Sequence, residues 1–265
     1  MNHIIKQKTT SSELIQIATL KFKPSLQQGT ELPLSFRDVC RQLQAVPGVS
    51  STYFGQQIER PGTWTWIIRW ASLAAHDAFL ASPSFTNWIA SFRAVVETYI
   101  FWKALVRGSL SATLNAPCTE VFTAYGTSDT WLEMRMKPFA DNVDAANLPG
   151  HHGSFYGQYD VLMHDSHDVP EGTTVSMMLG WDSKEAHLAE RGEGKVIDKN
   201  IHYTREERRS VDMALIGGRL CLMILILFYI FSPLPNRITL LDIILNLSVE
   251  FKQYARLSAS LMPRL

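Results

Sequence analysis

The sequence lacks the features that mark several large classes of protein. Its 25 Lys and Arg residues balance 25 Asp and Glu residues, so the formal net charge is zero. A nucleic-acid-binding protein needs a basic footprint, and we therefore expect no nucleic-acid partner. The sequence also contains no GxGxxG, no Gly-rich phosphate loop and no G-x-S-x-G elbow. These absences argue against a nicotinamide or nucleotide enzyme.

Cysteine is scarce. Cys40, Cys118 and Cys221 are the three cysteines, they form no CxxC pair, and an odd number cannot be fully paired within the chain. A reducing compartment is the simpler interpretation. Residues 1–13 contain no apolar run of signal-peptide length. Together these features predict a cytoplasmic protein.

What the sequence does contain is an internal repeat. The heptapeptides at 70–76 (WASLAAH) and 181–187 (WDSKEAH) share Trp, Ser, Ala and His at the same offsets. The first is preceded by YFGQ at 53–56 and the second by FYGQ at 155–158. The extra length in the second copy falls in a polar segment, where insertions are tolerated. This pattern predicts a duplicated domain rather than a solenoid of many short units.

The first copy divides into a β-α-β-β-α-β order. Apolar, β-branched stretches predict strands, and helical spacing of apolar residues predicts helices. The predicted elements are a strand at 14–22, a helix at 35–46, strands at 49–58 and 63–70, a helix that begins near Ser72 and restarts at Ser82, and a last segment at 97–106 that is either a fourth strand or a continuation of the helix. This order is that of the ferredoxin-like split βαβ unit.

The second copy is harder to divide. We expect its first strand at 131–137, followed by a helical segment within 139–148. Asp182 and Glu185 fit a capping box at the start of the helix after Trp181. The segment 203–216 must then supply the last elements.

The strand at 63–70 separates two kinds of side chain. Trp64, Trp66, Ile68 and Trp70 alternate onto one face, and Thr63, Thr65, Ile67 and Arg69 take the other. We expect the wholly apolar face to pack on helices and the mixed face to line an interior space.

The repeated W-x-S-x-x-A-H motif, followed in the first copy by FLASPSF at 79–85, resembles the dimeric α+β barrel superfamily. The resemblance is greatest to fungal antibiotic-biosynthesis-monooxygenase (ABM)-like proteins and covers roughly residues 10 to 216. It implies an α+β fold in which two ferredoxin-like βαββαβ repeats set their sheets face to face and form an intramolecular dimeric α+β barrel. A monomeric barrel and a homodimer of barrels both fit it.

The domain organisation that follows has three parts. We predict a first repeat at 10–108, a second repeat at 109–216 and an apolar, helical C-terminal tail at 217–265. The run of 12 apolar residues at 220–231 is shorter than the ~20 residues that span a bilayer. Three interpretations of the tail remain open: membrane association through 214–231, a helical cap packed on the barrel, and a tail unrelated to the family fold.

The candidate site residues come from the mixed faces and the repeated motifs. We expect the pocket to be lined by Thr65, Ile67, Tyr159, Ser176 and Met178. Arg69 would anchor an anion of the substrate, and Tyr53, Tyr156, His76 or His187 would exchange its proton. The alternative is that these side chains fill the barrel, and that each His, being present in both copies, ties helix to strand.

We expect neither a metal nor a cofactor. The His residues at 151–152 and at 164–168 lie in loop-like segments without the spacing of a known metal site.

The resemblance includes cofactor-free oxygenases, cyclases, decarboxylases and proteins of other roles. The favoured function is a cofactor-independent monooxygenase of fungal secondary metabolism that acts on a small, hydrophobic, aromatic polyketide-type intermediate. The alternatives are a cyclase, decarboxylase or dehydratase, and a non-catalytic stress-response or binding protein.

Overall fold

A computed structural model describes residues 13–27, 32–165 and 169–217 of the chain. The predicted tail therefore lies outside the described residues, apart from its first position. Residues 214–217, which open the proposed membrane segment, belong to a strand rather than a helix. Within the described ranges, no helix combines the length and apolarity needed to cross a membrane.

The first repeat follows the expected β-α-β-β-α-β order. Its second helix is split at Ser82, as the Ser-Pro sequence predicts. The segment left undecided between strand and helix is a strand. The elements are β1 (Glu13–Phe22), α1 (Leu34–Gln44), β2 (Val49–Gln56), β3 (Thr63–Trp70), α2 (Leu73–Leu80), α3 (Pro83–Val95) and β4 (Val96–Gly108), followed by the short connecting helix α4 (Leu110–Leu114).

The second repeat has the same order with shorter helices. Its elements are β5 (Cys118–Thr127), a π-helical turn (Leu132–Met136) that leads into α5 (Lys137–Ala145), β6 (His151–His164), β7 (Thr173–Trp181), α6 (Lys184–Ala189), α7 (Val196–Asn200), a 3-10 turn (Ile201–Thr204) and β8 (Ser210–Gly217). The helix expected within 139–148 is present as part of α5.

The prediction of a strand at 131–137 is wrong. Trp131 and Met136 are both fully buried, and a π-helical turn places residues five apart on one side. The Trp131 indole N–H also donates to the Glu206 carbonyl oxygen over 2.9 Å. The first strand of this repeat is β5, which pairs with β7 and β8.

The eight strands form one antiparallel sheet in the order β2-β3-β1-β4-β6-β7-β5-β8. Each half of that order repeats the other, which confirms the duplication. The two halves meet along β4 and β6, in a ladder that runs from Ile100–His164 to Gly108–Phe155. The outer edges, β2 and β8, meet at the bridge between Gln57 and Ile216. The sheet is thereby curled into a barrel of the expected α+β class.

The two faces of the sheet carry different cores. On the helix-covered face, the β3 tryptophans pack with α1 and α3 in a core rich in aromatic rings, and the second repeat has its own core against α5 and α7. A third cluster, which includes Ile17, Ile67 and Met178, fills the inside of the barrel. The expected division of the β3 side chains between helices and interior is confirmed.

The N-caps of α2 and α6 are equivalent serines. The Ser72 and Ser183 hydroxyl oxygens each accept a hydrogen bond from the backbone N–H three residues later. The prediction of Asp182 as the cap is therefore wrong. Asp182 instead contacts His152, with 2.7 Å between the carboxylate oxygen and Nε2.

Candidate functional site

The inside of the barrel is largely filled by side chains. Ile67, Met178 and Tyr53 are buried in the interior cluster. The remaining space is a chamber of about 30 Å³ bordered by Thr65, Ser176, Tyr159 and neighbouring residues. A chamber of this size holds roughly two water molecules, so an aromatic substrate does not fit it. Burial also raises the pKa of Tyr159 well above its usual range.

Arg69 lies at the end of β3 with its charge already paired. Its guanidinium forms an ion pair with Glu13 and donates to the Ser111 hydroxyl over 3.1 Å. Burial acts to lower the pKa of Arg69, but hydrogen bonds with Glu13 and Tyr53 raise it overall. The expected role as an anchor for a substrate anion therefore requires Glu13 to be displaced.

Tyr156 does not face the interior. Its side chain belongs to the helix-side core of the second repeat, whereas Phe155 and Tyr159 on the same strand point into the barrel. The expectation of an inward hydroxyl at Tyr156 is wrong, because the alternation along β6 assigns the FYGQ tyrosine to the opposite face from Tyr53.

His76 is a buried packing residue beside Trp70. The two rings meet edge to face at 5.2 Å, and Nδ1 of the imidazole lies 2.9 Å from the Asp77 carboxylate. Burial lowers the pKa of His76, so the neutral imidazole is favoured. Trp70 in turn donates its indole N–H to the Gln16 amide oxygen over 3.3 Å.

His187 has a different partner in the second repeat. Its ring meets Trp181 at 5.3 Å, as in the first copy. However, Nδ1 lies 3.0 Å from a carboxylate oxygen of Glu120, and both side chains are more than nine-tenths buried. The angle at Nδ1 departs from hydrogen-bond geometry, so the contact is a close approach rather than a hydrogen bond.

Glu120 occupies the position that Gln16 holds in the first repeat. Leu14 lies opposite Trp70 in the ladder between β1 and β3, and Cys118 lies opposite Trp181 in the ladder between β5 and β7. Two residues further along, the first copy therefore has an amide and the second copy has a carboxylate. The motif histidine therefore contacts a buried strand carboxylate in the second repeat, whereas His76 contacts the exposed carboxylate of Asp77 on its own helix.

The second repeat also has a cavity between its sheet and its helices, which we call the sheet–helix cavity. Its volume is about 40 Å³. The strand pairings of the two repeats show that Met177 is equivalent to Trp66 and Met213 to Phe101. Two large aromatic rings of the first repeat are therefore replaced by methionine side chains in the second. The lining is mostly apolar and comprises Glu120, Phe122, Phe139, Met177, Leu179, His187, Arg191, Ile197, Ile201, Thr204 and Met213.

The cover of this cavity consists of short pieces. Residues 190–204 contain the five residues of α7 and the following 3-10 turn, where the first repeat has the 13 residues of α3. Gly192 and Gly194 both have positive φ, and a Cβ added at either would meet nothing within 4 Å. The cover is therefore loosely packed at its start.

Two further titratable groups lie near Trp181, namely the buried ring of His151 and the partly exposed carboxylate of Asp144. The His151 ring lies tilted against Trp181 with 4.8 Å between the ring centroids, and its Nε2 lies 3.8 Å from the Asp144 carboxylate. Burial raises the pKa of Asp144 to about 6, and burial lowers that of His151. In the described ranges, no group of three or more His, Cys, Asp and Glu side chains is arranged to hold a metal ion.

Comparisons with known proteins agree with this architecture. Residues 14–91 match the family model for the antibiotic biosynthesis monooxygenase domain, so the first repeat carries an ABM domain. No curated protein matches the chain significantly.

Two solved structures resemble the whole barrel. One is an anthrone oxidase-like protein, with a TM-score of 0.55 and 14% identity over 78% of this chain and 91% of that one. The other is a candidate monooxygenase from Fusobacterium nucleatum, with a TM-score of 0.52 and 10% identity over 79% and 93% of the two chains. At these identities the likeness establishes the fold, which is the dimeric α+β barrel.

Sequence reasoning found His187 but missed Glu120. The motif repeat points directly to His187, because the same offset from Trp recurs. Glu120 could have been found by comparing the two repeats, because the equivalent strand position in the first repeat carries Gln16. That comparison requires β5, rather than the segment 131–137, to be aligned with β1.

Proposed function

We propose that this protein is a cofactor-independent monooxygenase of the ABM type. Its reaction takes place in the sheet–helix cavity of the second repeat. The substrate is a small, acidic, aromatic polyketide-type molecule, of the kind found in fungal secondary metabolism. The observation that supports the proposal most directly is the buried His187–Glu120 pair at the wall of an apolar cavity.

The pair suits His187 to act as a general base. With Nδ1 turned to Glu120, Nε2 is the nitrogen left to take a proton from the substrate. The nearby carboxylate stabilises the imidazolium that forms. Glu120 is therefore a positioning residue and His187 the catalytic one.

The reaction balances without a further reductant. Proton loss from a phenolic or methylene group gives an electron-rich anion that can reduce O₂. One oxygen atom becomes a carbonyl at the methylene carbon, and the other leaves as water with the two hydrogens of that carbon. The apolar walls, including Phe122 and Phe139, exclude water and favour a flat aromatic ring.

The closed cavity is too small for such a substrate, so the cover must move. Segment 190–204 is the part suited to moving, because its helices are short and its two glycines are unpacked. Arg191 lies at the start of this cover and also borders the cavity. Opening there exposes His187 without disturbing the sheet.

A non-catalytic binding or stress-response protein is the second candidate. The observation in its favour is that both enclosed spaces are small, about 30 and 40 Å³, and that the barrel interior is filled. A cyclase, decarboxylase or dehydratase could also use the same base, and it would need no oxygen.

Oxygen uptake by the purified, metal-free protein with a panel of hydroxyanthrones tests the proposal. We expect turnover that falls by about 10²–10⁴-fold in His187→Gln, the usual size of a general-base effect. Glu120→Gln, which reproduces the amide of the first repeat, is expected to cause a smaller fall.

The matched control is His76→Gln, which alters the equivalent histidine away from the sheet–helix cavity. Its activity should be unchanged at a temperature where circular dichroism shows a folded protein. Equal losses in the two histidine variants would contradict a catalytic role for His187. Substrate consumption without oxygen uptake would favour the cyclase or decarboxylase alternative.

A further inference from the structure

The chamber inside the barrel has polar walls and unpartnered polar atoms. Gln57, Trp102 and Tyr159 border it, and each is more than nine-tenths buried. The Gln57 amide oxygen and the Trp102 indole N–H have no hydrogen-bond partner within the described part of the chain. The Tyr159 hydroxyl approaches Ser176 but forms no bond of good geometry there. Leaving three such groups unpaired is costly, which points to a ligand.

Several other polar groups of the chamber have hydrogen-bond partners. The Gln57 amide nitrogen donates to the Thr65 hydroxyl over 3.1 Å, which fixes the direction of the amide oxygen. The Thr123 and Ser176 hydroxyls lie 3.0 Å apart, and Ser176 also donates to a backbone carbonyl. The unpartnered atoms therefore include one acceptor on Gln57 and the donors of Trp102 and Tyr159. The Nε–H of Arg60, which belongs to an ion-paired guanidinium, is a further donor without a partner in the described part of the chain.

The charge at the chamber is balanced. Arg60 and Asp212 border it and form a bidentate ion pair with distances of 2.9 and 3.0 Å. The other residues that line the chamber carry no formal charge. An anion or cation placed inside would remain unpaired in a poorly solvated space, so an uncharged ligand is favoured.

We propose that this chamber binds a small uncharged molecule that carries a hydrogen-bond donor and a carbonyl oxygen on one plane, as a primary amide does. The N–H of the amide donates to the Gln57 amide oxygen, and its carbonyl oxygen accepts from Trp102 and Tyr159. The volume of about 30 Å³ limits the ligand to the size of acetamide or smaller.

The closing edge of the barrel gives the ligand a route. β4 and β6 pair along a ladder with one register shift at Phe101–Trp102. The closing edge has fewer contacts: the bridge of Gln57 with Ile216, the hydrogen bond from the Ile58 N–H to the Leu215 carbonyl oxygen, and the Arg60–Asp212 pair. Gln57 is thus both a wall of the chamber and part of the closing edge. This site lies on the opposite face of the sheet from the sheet–helix cavity, so the proposal does not depend on monooxygenase activity.

Titration of the ¹⁵N-labelled protein with acetamide tests this site, with the tryptophan indole N–H signals as the readout. We expect a saturable shift of the Trp102 signal, with a dissociation constant on the order of 1 mM for so small a ligand. Acetate, which has the same shape but a negative charge, should bind at least about tenfold more weakly.

Two variants separate binding at the chamber from a general effect on the protein. Tyr159→Phe removes one donor and should weaken acetamide binding about tenfold. Tyr99→Phe is the matched control, because that hydroxyl bonds Arg93 on the helix side. A shift of Trp102 that rises linearly without saturation, or equal binding by the Tyr159 variant, would overturn the proposal. Equal affinity for acetate would refute the uncharged ligand class.

Discussion

Filling the sheet–helix cavity with Met177→Phe should stabilise the protein and abolish the proposed monooxygenase activity. Met177 corresponds to Trp66, which is fully buried in the first repeat and stacks on Phe92 at 6.3 Å. The cavity of about 40 Å³ borders Met177 directly. A phenylalanine at this position restores part of the aromatic volume that the second repeat lacks.

The size of the effect follows from the cavity volume. Cavities in protein cores cost about 24 cal/mol for each Å³, so complete filling of 40 Å³ is worth about 1 kcal/mol. Phenylalanine leaves part of the space empty, which makes about 1 kcal/mol the upper limit. Urea denaturation measures this free energy of unfolding, and oxygen uptake measures the loss of activity on the same sample.

Met178→Phe is the matched control for this experiment. Met178 is the next residue of β7, but it points into the filled barrel interior. Overpacking there should destabilise the protein by about 1–3 kcal/mol. If Met177→Phe were stabilised and yet kept full activity, the sheet–helix cavity would not be the substrate site. If it were destabilised as strongly as Met178→Phe, the cavity would not exist in solution.

Three further predictions concern stability. The pKa of Asp144 is raised from 3.8 to about 6, so its ionisation opposes folding and stability is lost as the pH rises through that range. Asp144→Asn should therefore have a higher Tm than the wild type at pH 8 and an equal one at pH 4; an equal Tm at both would contradict the burial argument. Gly180→Ala should cost about 1–3 kcal/mol in urea denaturation, because the added Cβ would lie 2.9 Å from the Thr113 backbone. Arg60→Met should cost no more than about 1 kcal/mol, because the ion pair with Asp212 is partly exposed; a much larger loss would mean that this pair is essential for closing the barrel.

Local sequence patterns predicted most of the fold. Alternation along 63–70 gave the correct faces of β3, and the Trp-to-His offset gave equivalent strand–helix junctions in both repeats. The first strand of the second repeat was wrongly predicted at 131–137, a segment that begins with Trp131 and contains a π-helical turn. Spacing of five residues is rare in helices, so such a turn gives no familiar periodic signal.

The candidate site was only partly predictable, because a cavity forms where side chains from segments distant in sequence together leave space unfilled. Met177 is an ordinary buried strand residue and Met213 is partly exposed, and the space beside them follows only from comparison with Trp66 and Phe101. The prediction that Tyr156 points into the barrel was wrong for a related reason. The order of Tyr and Phe in YFGQ and FYGQ is reversed, and one position in a strand changes the face.

The duplication explains how the protein tolerates a buried His–carboxylate contact beside a cavity. Burying Glu120 with His187 and losing aromatic volume both reduce stability. The first repeat shows neither change, since its equivalent position carries Gln16 and its core is filled by aromatic rings. Because β4 and β6 join the two sheets in one ladder, the well-packed repeat stabilises the other. A single-repeat subunit that pairs with its own copy must make the same change in both halves, whereas this chain can keep one half for stability and adapt the other for chemistry.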